Sequence, residues 1–131
     1  MIDKPIRPTT ADIPAQTIPY PGKQTDMTLP PQADLVGCKP AGKLSGKKAI
    51  ITGADSGIGR AVALAFAMEG TDVAVVYNEN DEDAEETKSI VEAQGRRCLV
   101  LKAEVRAPAA CRSATAFATA EFGGLNILET V

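Results

Sequence analysis

Residues 47–60, KKAIITGADSGIGR, decide the fold of this chain. A short apolar run at 49–51 leads into Thr52-Gly53, and Gly57-Ile58-Gly59 then opens a long Ala-rich apolar segment. The pattern predicts a strand, a tight glycine turn and a helix. Such a turn presents the first N–H groups and the positive dipole end of the helix, which suits a diphosphate group.

Each glycine of this stretch has its own predicted role. Gly53 permits a turn that a side chain would obstruct, and Gly57 leaves room for another backbone or a ligand to come close. Gly59 lets the new helix pack tightly on the strand. The spacing differs from the Gly-x-Gly-x-x-Gly fingerprint. A structural turn without a ligand is the alternative, and the order strand, turn, helix, second strand disfavours it.

Composition and charge exclude several classes of protein. The 131 residues allow one ordinary domain. A net charge of −3 and a pI near 5.0, with no basic stripe, argue against nucleic-acid binding. The sequence has no histidine, which excludes His-based triads and disfavours most catalytic metal sites. We therefore expect no metal site.

Cysteine usage and hydropathy indicate the compartment. The three cysteines contain no Cys-x-x-Cys pair, which favours a reducing compartment over a disulfide framework. No apolar run is long enough to cross a bilayer, and the N-terminus lacks the apolar core of a secretory signal. We expect a soluble, cytoplasmic protein without a membrane partner.

Residues 1–42 are predicted to form an irregular proline-rich arm, because they hold eight of the nine prolines. Two interpretations stay open: a disordered arm, or an arm that lies on a neighbouring subunit. The second would use the apolar residues Ile13, Ile18, Tyr20, Met27 and Leu29 as anchors.

The end of the arm has the spacing of a phosphate-binding P-loop over residues 37–43. Leu44 stands where that loop needs Ser or Thr, Pro40 lies inside it, and no strand is predicted before it. We interpret Gly42 and Gly46 as a hinge into the first strand.

From residue 47 onward the sequence predicts the order βαβαβαβ. Alternating elements of these lengths predict an α/β fold with a parallel, Rossmann-like sheet in the order 3-2-1-4, a truncated half of a doubly wound domain. Ile58, Val62, Ala65 and Phe66 should lie on one face of the first helix. The acidic run at 81–86 should be a solvated surface. The predicted strands are 48–52, 72–77, 98–105 and 125–128, and the predicted helices are 58–69, 81–94 and 108–122.

Four stretches carry a resemblance to a known family: TGADSGIGRAVALAF at 52–66, VAVVYNENDEDAEET at 73–87, VEAQGRRC at 91–98 and AEFGGLNIL at 120–128. They resemble the glucose/ribitol dehydrogenase-like branch of the short-chain dehydrogenase/reductase family. The Asp55-Ser56 pair and a proline-rich arm with Met-Thr-Leu-Pro at 27–30 are typical of that branch. The similarity covers essentially residues 1–128. It implies a dinucleotide-binding Rossmann half-domain at 43–131.

The resemblance implies which residues bind the cofactor, NAD or NADP. Asn78 and Glu79, after the second strand, would meet the adenosine ribose, and an acid there favours NAD. Ser56 stands where many NADP users have a basic residue, which also favours NAD slightly. Glu104 and Val105 replace the family's usual Asp-Val at the adenine. The pyrophosphate and adenosine side would be lined by Gly53, Asp55, Ser56, Gly57, Ile58 and Gly59.

The resemblance also implies an NAD(P)-dependent oxidoreductase that acts on alcohol or carbonyl groups of small, sugar-like or polyol-like substrates. The family is typically homo-oligomeric. Its catalytic Ser and Tyr-x-x-x-Lys have no counterpart here, because neither Tyr20 nor Tyr77 has Lys four residues later. Where the family continues Val-Asn-Asn-Ala-Gly, this sequence reads Glu129-Thr130-Val131.

We therefore expect the N-terminal, cofactor-binding part of such an enzyme, from a truncated or frame-shifted reading frame. A C-terminal docking peptide is the alternative interpretation of the last three residues. A non-catalytic nucleotide-binding or interaction fragment is the alternative function.

Overall fold

The structure is a computed structural model that describes residues 9–20, 22–23, 26–29 and 35–131. Before residue 43, the described residues form turns, bends and irregular chain with a 3₁₀ conformation at Asp26, without an α-helix or a strand. The elements alternate as predicted: β1 Lys48–Thr52, α1 Gly57–Met68, β2 Asp72–Tyr77, α2 Asp81–Ala93, β3 Cys98–Lys102, α3 Pro108–Phe122 and β4 Ile127–Glu129.

The four strands form one parallel sheet in the order β3-β2-β1-β4, which confirms the predicted Rossmann-like topology. Ile50 of β1 lies opposite Ala74 of β2 on one side and Leu128 of β4 on the other. Because all strands run the same way, their carboxyl ends meet at one edge of the sheet. The chain order reverses between β1 and β4, so a crevice at that edge lies at the topological switch point.

Both faces of the sheet are covered, as a parallel sheet requires. On one face Ile51 and Val75 pack with Ala63 of α1 and Val91 of α2. On the other face a second apolar cluster joins β1 and β2 to α3 through Ile50, Ala74, Val76, Ala114 and Ala118. Small residues on the helices let them approach the sheet closely.

The apolar face predicted for α1, with Ile58, Val62, Ala65 and Phe66, is not the face that the structure buries most deeply. Ile58 is 74% exposed, and the buried residues of the helix are Gly59, Arg60, Ala63, Leu64 and Ala67. Gly59 is pressed against the backbone of the preceding turn. Residues at i+4 and i+8 from it therefore lie on the buried face, because a helix repeats every 3.6 residues. Val62 and Phe66 pack only at the margin of the core.

The predicted ends of β3 and β4 were also wrong. β3 ends at Lys102 because Glu104 starts a turn: its carbonyl accepts the Ala107 N–H at 3.0 Å, and its carboxylate accepts the Arg106 N–H at 3.1 Å. β4 begins at Ile127, not at 125. Its start is set by Asn126, whose side-chain oxygen accepts the Lys48 N–H at 2.9 Å in place of a backbone carbonyl.

The connection at 41–46, which we interpret as a hinge into the first strand, is hydrogen-bonded to the end of α1. The Leu44 N–H donates to the Glu69 carbonyl at 3.1 Å, and the Gly46 N–H donates to the Gly70 carbonyl at 3.2 Å. The Ala41 and Lys43 N–H groups both donate to the Glu69 carboxylate. Two N–H groups of the P-loop-like stretch thus bind a side chain of the protein itself.

Of the helices in the described ranges, none has the length and the apolar character that a membrane span needs.

Candidate functional site

The turn between β1 and α1 has the backbone shape that its glycines were predicted to permit. Gly53 and Gly57 have φ values of 68° and 56°, in the left-handed region that favours glycine. The Gly53 N–H donates to the Val76 carbonyl at 2.8 Å, so the turn starts from the carboxyl ends of β1 and β2 together. Beside it, the Val131 N–H donates to Thr52 Oγ1 at 3.3 Å.

Gly57 and Gly59 are required for opposite reasons. A Cβ added at Gly59 would lie 2.2 Å from the Gly53 carbonyl oxygen, so the start of α1 can touch the turn only without a side chain. Apart from its neighbours in the chain and the backbone of α1, a Cβ added at Gly57 would meet no atom of the described residues within 4 Å. Gly57 therefore borders open space in front of α1, where a ligand could approach the backbone.

The N-terminus of α1 faces this space without a side-chain cap. Ser56 is the N-cap residue in extended conformation, and its hydroxyl makes no capping hydrogen bond to any described residue. The first intrahelical bond runs from the Arg60 N–H to the Ser56 carbonyl at 3.2 Å. N–H groups of a first helical turn have no acceptor within the helix, and the dipole makes that end positive. The arrangement suits an anionic group.

The ends of β2 and β3 place the other predicted site residues at the same edge. Asn78 Nδ2 lies 3.5 Å from Glu104 Oε2, so these two residues are neighbours. Hydrogen bonds from Arg106 lower the pKa of Glu104, which keeps its carboxylate charged. Glu79 and Val105 are exposed.

Asp55 lies within the turn and is partly exposed. All ten predicted site residues therefore lie on the glycine turn or after the next two strands of the sheet.

A polar cluster that the sequence analysis missed lies beside them. The Tyr77 hydroxyl donates to Asp81 Oδ1 at 2.8 Å, and Lys102 Nζ donates to the same oxygen at 3.1 Å. The bond to Asp81 raises the pKa of Tyr77, while the bonds from Tyr77 and Lys102 lower that of Asp81. The spacing of Tyr77 and Asp81 could have predicted this contact, because a separation of four residues reaches from the end of β2 into the first turn of α2.

A buried ion pair was also missed, and it corrects the interpretation of the acidic run as wholly solvated. Asp83 is only 4% exposed, as is Arg60 of α1, whose guanidinium lies 3.8 Å from Asp83 Oδ1. Burial raises the pKa of Asp83. The other acids of the run are exposed. Within the described ranges, no three His, Cys, Asp or Glu side chains are grouped so that they could hold a metal ion.

The fold and the edge together define a Rossmann-type α/β protein with a glycine turn at its switch point. The sequence profile of the short chain dehydrogenase family matches residues 47–130. The chain belongs to the short-chain dehydrogenase/reductase family, a family of oxidoreductases.

Two curated relatives illustrate the similarity. General stress protein 39 of Bacillus subtilis is 47% identical over 89% of this chain and 41% of its own length. The glucose and ribitol dehydrogenase homolog of Oryza sativa is 54% identical over 51% of this chain and 23% of its own length. The chain thus spans about two-fifths of the length of the former relative.

Solved structures agree. A short-chain dehydrogenase of Burkholderia cenocepacia in complex with NADP superposes with a TM-score of 0.64 and 41% identity, over 65% of this chain and 35% of that chain. Carveol dehydrogenase of Mycobacterium avium in complex with NAD superposes with a TM-score of 0.65 and 30% identity, over 67% and 36%. Both nicotinamide dinucleotides therefore occur among proteins of this fold.

Proposed function

We propose that this chain forms the dinucleotide-binding part of an NAD(P)-dependent short-chain oxidoreductase that acts on alcohol or carbonyl groups. One observation carries the proposal. In the part of the chain that the structure describes, Gly57 borders open space directly before the N-terminus of α1, which lacks a side-chain cap, at the topological switch point of the sheet. A pyrophosphate in that space would accept hydrogen bonds from backbone N–H groups and interact favourably with the helix dipole.

The residues present fit such a cofactor along its whole adenosine side. Asn78 and Glu79 would hold the adenosine ribose, and Glu104 and Val105 would border the adenine. A bound nicotinamide cofactor supplies the hydride-transfer chemistry, and the chain binds and orients it. The pyrophosphate would lie on the turn formed by Gly53, Asp55, Ser56, Gly57, Ile58 and Gly59.

Charge at the ribose end favours NAD over NADP in this proposal. A cavity of about 250 Å³ beside Glu79 is lined by one lysine, one asparagine and four acids: Lys23, Glu79, Asn80, Asp81, Glu82 and Asp83. A carboxylate there accepts from a ribose 2′-hydroxyl and repels a 2′-phosphate. NADP is the alternative, as in the Burkholderia structure.

Substrate and organisation belong to the same proposal. The rice relative, named for glucose and ribitol, supports sugar-like or polyol-like substrates. We divide the chain into an arm at 1–42 and a Rossmann half-domain at 43–131, acting in a reducing compartment such as the cytoplasm.

The second candidate is a non-catalytic nucleotide-binding module. It is favoured by the lack of a Tyr-x-x-x-Lys motif in these 131 residues.

Calorimetry with NAD, NADP and AMP tests the proposal. The chain should bind NAD, more weakly NADP, and Gly57→Val should remove binding because the side chain occupies the phosphate approach. Gly95→Val is a matched control: Gly95 also has positive φ, at 78°, and its added Cβ also meets no atom of the described residues within 4 Å beyond its chain neighbours, but it lies at the far end of α2. A folded chain that binds none of the three ligands would contradict the proposal.

A further inference from the structure

We propose that Arg60 is a positioning residue, which fixes the Asp55–Ser56 peptide so that its N–H faces the space in front of α1. Arg60 and its partners on α2 thereby hold the glycine turn in its binding shape. The inference rests on the proposed function for its ligand, but its first test needs no ligand.

The Arg60 guanidinium is buried and makes directed bonds to the turn and to α2. Its Nη2 donates to the Asp55 carbonyl at 2.6 Å and to the Asp83 carbonyl at 2.9 Å. Its Nε donates to Thr87 Oγ1 at 3.0 Å. The Arg60 side chain therefore contacts the turn at the Asp55 backbone carbonyl and not at the Asp55 carboxylate.

Thr87 adds a second contact to the same carbonyl. Its hydroxyl lies 3.3 Å from the Asp55 oxygen and 3.1 Å from the Asp83 oxygen, so its single proton can go to either. Because Thr87 also accepts from Arg60, its own orientation depends on the guanidinium. Arg60, Thr87 and the Asp55 carbonyl form one closed group.

Because the peptide bond is planar, fixing the Asp55 carbonyl also fixes the direction of the Ser56 N–H. In a trans peptide the C=O and the following N–H point in opposite directions. With the Asp55 carbonyl directed at Arg60 and Thr87, the Ser56 N–H points away from α2. It then joins the N–H groups of the first turn of α1, where an anion would sit.

The charges explain why α2 is part of this group. A buried guanidinium needs a counter-charge, and α2 supplies Asp83 Oδ1 at 3.8 Å and Glu86 Oε2 at 3.2 Å. Asp83 Oδ2 is buried without a hydrogen-bond partner among the described residues. The Asp83 carboxylate therefore acts mainly as the counter-charge of Arg60, and not all of its hydrogen-bonding capacity is used.

The group also joins the two ends of the proposed site. α2 follows directly on residues 78–80, which would meet the ribose, while Asp55 belongs to the pyrophosphate turn. Arg60 and Thr87 thus connect the turn to the helix whose start carries the ribose contacts.

The test compares the Thr87→Val and Arg60→Lys variants with the wild-type chain. Thr87→Val keeps the shape and removes the hydroxyl, and Arg60→Lys keeps the charge but loses the two-armed contact. The control Arg97→Met removes an exposed arginine that likewise bonds a backbone carbonyl and a carboxylate, both of Glu121 at 2.7 Å.

Two readouts separate positioning from stability. In ligand-free protein, the NMR resonance and hydrogen exchange of the Ser56 amide should change in both variants and not in the control. Affinity for ADP-ribose should fall roughly tenfold or more, the scale of one charged hydrogen bond, while affinity for adenosine stays constant.

Arg60→Lys should lose less affinity than Arg60→Met. Since Arg60→Met leaves buried acids without their partner and can fail to fold, Arg60→Lys and Thr87→Val carry the decisive comparison. An unchanged Ser56 amide in both folded variants would overturn the inference, as would equal losses for ADP-ribose and adenosine. If the wild-type chain binds neither, the proposed function fails, and the Ser56 amide still tests the role of Arg60.

Discussion

The carboxylate of Glu69, at the end of α1, accepts a hydrogen bond from the backbone N–H of Lys43 over 2.8 Å. The Ala41 N–H reaches the same carboxylate at 3.1 Å. These bonds lower the pKa of Glu69. One side chain thus fixes the path by which the proline-rich arm enters β1.

Glu69→Gln should loosen this connection, because an amide is a weaker acceptor than a carboxylate and has only one acceptor oxygen. Limited trypsin digestion, read by mass spectrometry, should cut faster after Lys43; the bond after Lys39 leads into Pro40 and is not a trypsin site. Glu92→Gln, which alters an exposed acid of α2, is the control. Equal cleavage rates in Glu69→Gln and the control would contradict the role of Glu69.

The pH dependence of the same contact has a definite sign. A folded-state pKa below the unfolded value means that the stabilisation is present above the unfolded Glu pKa of about 4.3 and is lost as the pH falls through the lower, folded value. The Lys43 amide resonance should therefore shift only in acid. A shift centred near neutral pH would show that another group controls it.

Core packing should depend on position in the sheet. Ile51 of β1 is fully buried, and Ile51→Ala should lower the free energy of unfolding by about 2–5 kcal/mol, through lost burial and a cavity. Leu128 of β4 is 66% exposed, so Leu128→Ala should change the free energy of unfolding by about 0.5 kcal/mol or less. Urea denaturation followed by circular dichroism measures both, and similar losses in the two variants would be inconsistent with this core.

The three thiols should react at different rates. Cys98 is 5% exposed, and burial raises its pKa to about 12, so at pH near 8 it carries almost no thiolate. Cys38 is exposed and should react first with a disulfide reagent. Labelling of Cys98 should follow unfolding, with Cys98→Ala identifying its signal. If Cys98 is labelled in the native state as fast as Cys38, the burial of Cys98 is contradicted.

Catalysis by these 131 residues alone should be absent. The family's general acid/base is a Tyr whose pKa is lowered by a Lys, whereas the bond to Asp81 raises the pKa of Tyr77. Loss of general acid–base help typically costs ~10²–10⁴-fold in rate. Absorbance of reduced cofactor should show no turnover of glucose or ribitol with NAD or NADP.

Gly57→Val controls this assay, since a contaminating dehydrogenase would be unaffected by a substitution in this chain. Steady turnover that disappears in Gly57→Val would mean that the chain catalyses at this cofactor site with residues other than the family's Ser, Tyr and Lys.

Local patterns were sufficient to predict the alternation of elements and the sheet order. The runs of β1 and β2, the glycine turn and Pro108 at the start of α3 are short-range signals. The ends of β3 and β4 were missed because side chains set them: Arg106 and Glu104 close a turn, and Asn126 replaces a backbone acceptor. Such contacts have no periodic signature.

The sequence was sufficient to predict where the backbone of the candidate site lies, but not the side-chain contacts around it. Parallel strands bring Gly53, Asn78 and Glu104 to one edge, and that placement follows from topology alone. The burial of Asp83 did not follow, because it lies in an acidic run whose other acids, Asp81, Glu82, Glu85 and Glu86, are exposed. Its partner Arg60 meets it only when α1 packs against α2. Cofactor binding by the predicted residues stays a prediction.

The contact between Gly59 and the Gly53 carbonyl has a genetic consequence. Every missense change in a glycine codon adds a Cβ, and at Gly59 the Cβ would fall 2.2 Å from a backbone oxygen that cannot move without the turn. The codon should therefore tolerate silent changes alone. Each missense allele at this position should behave as a loss of function, however conservative the new residue.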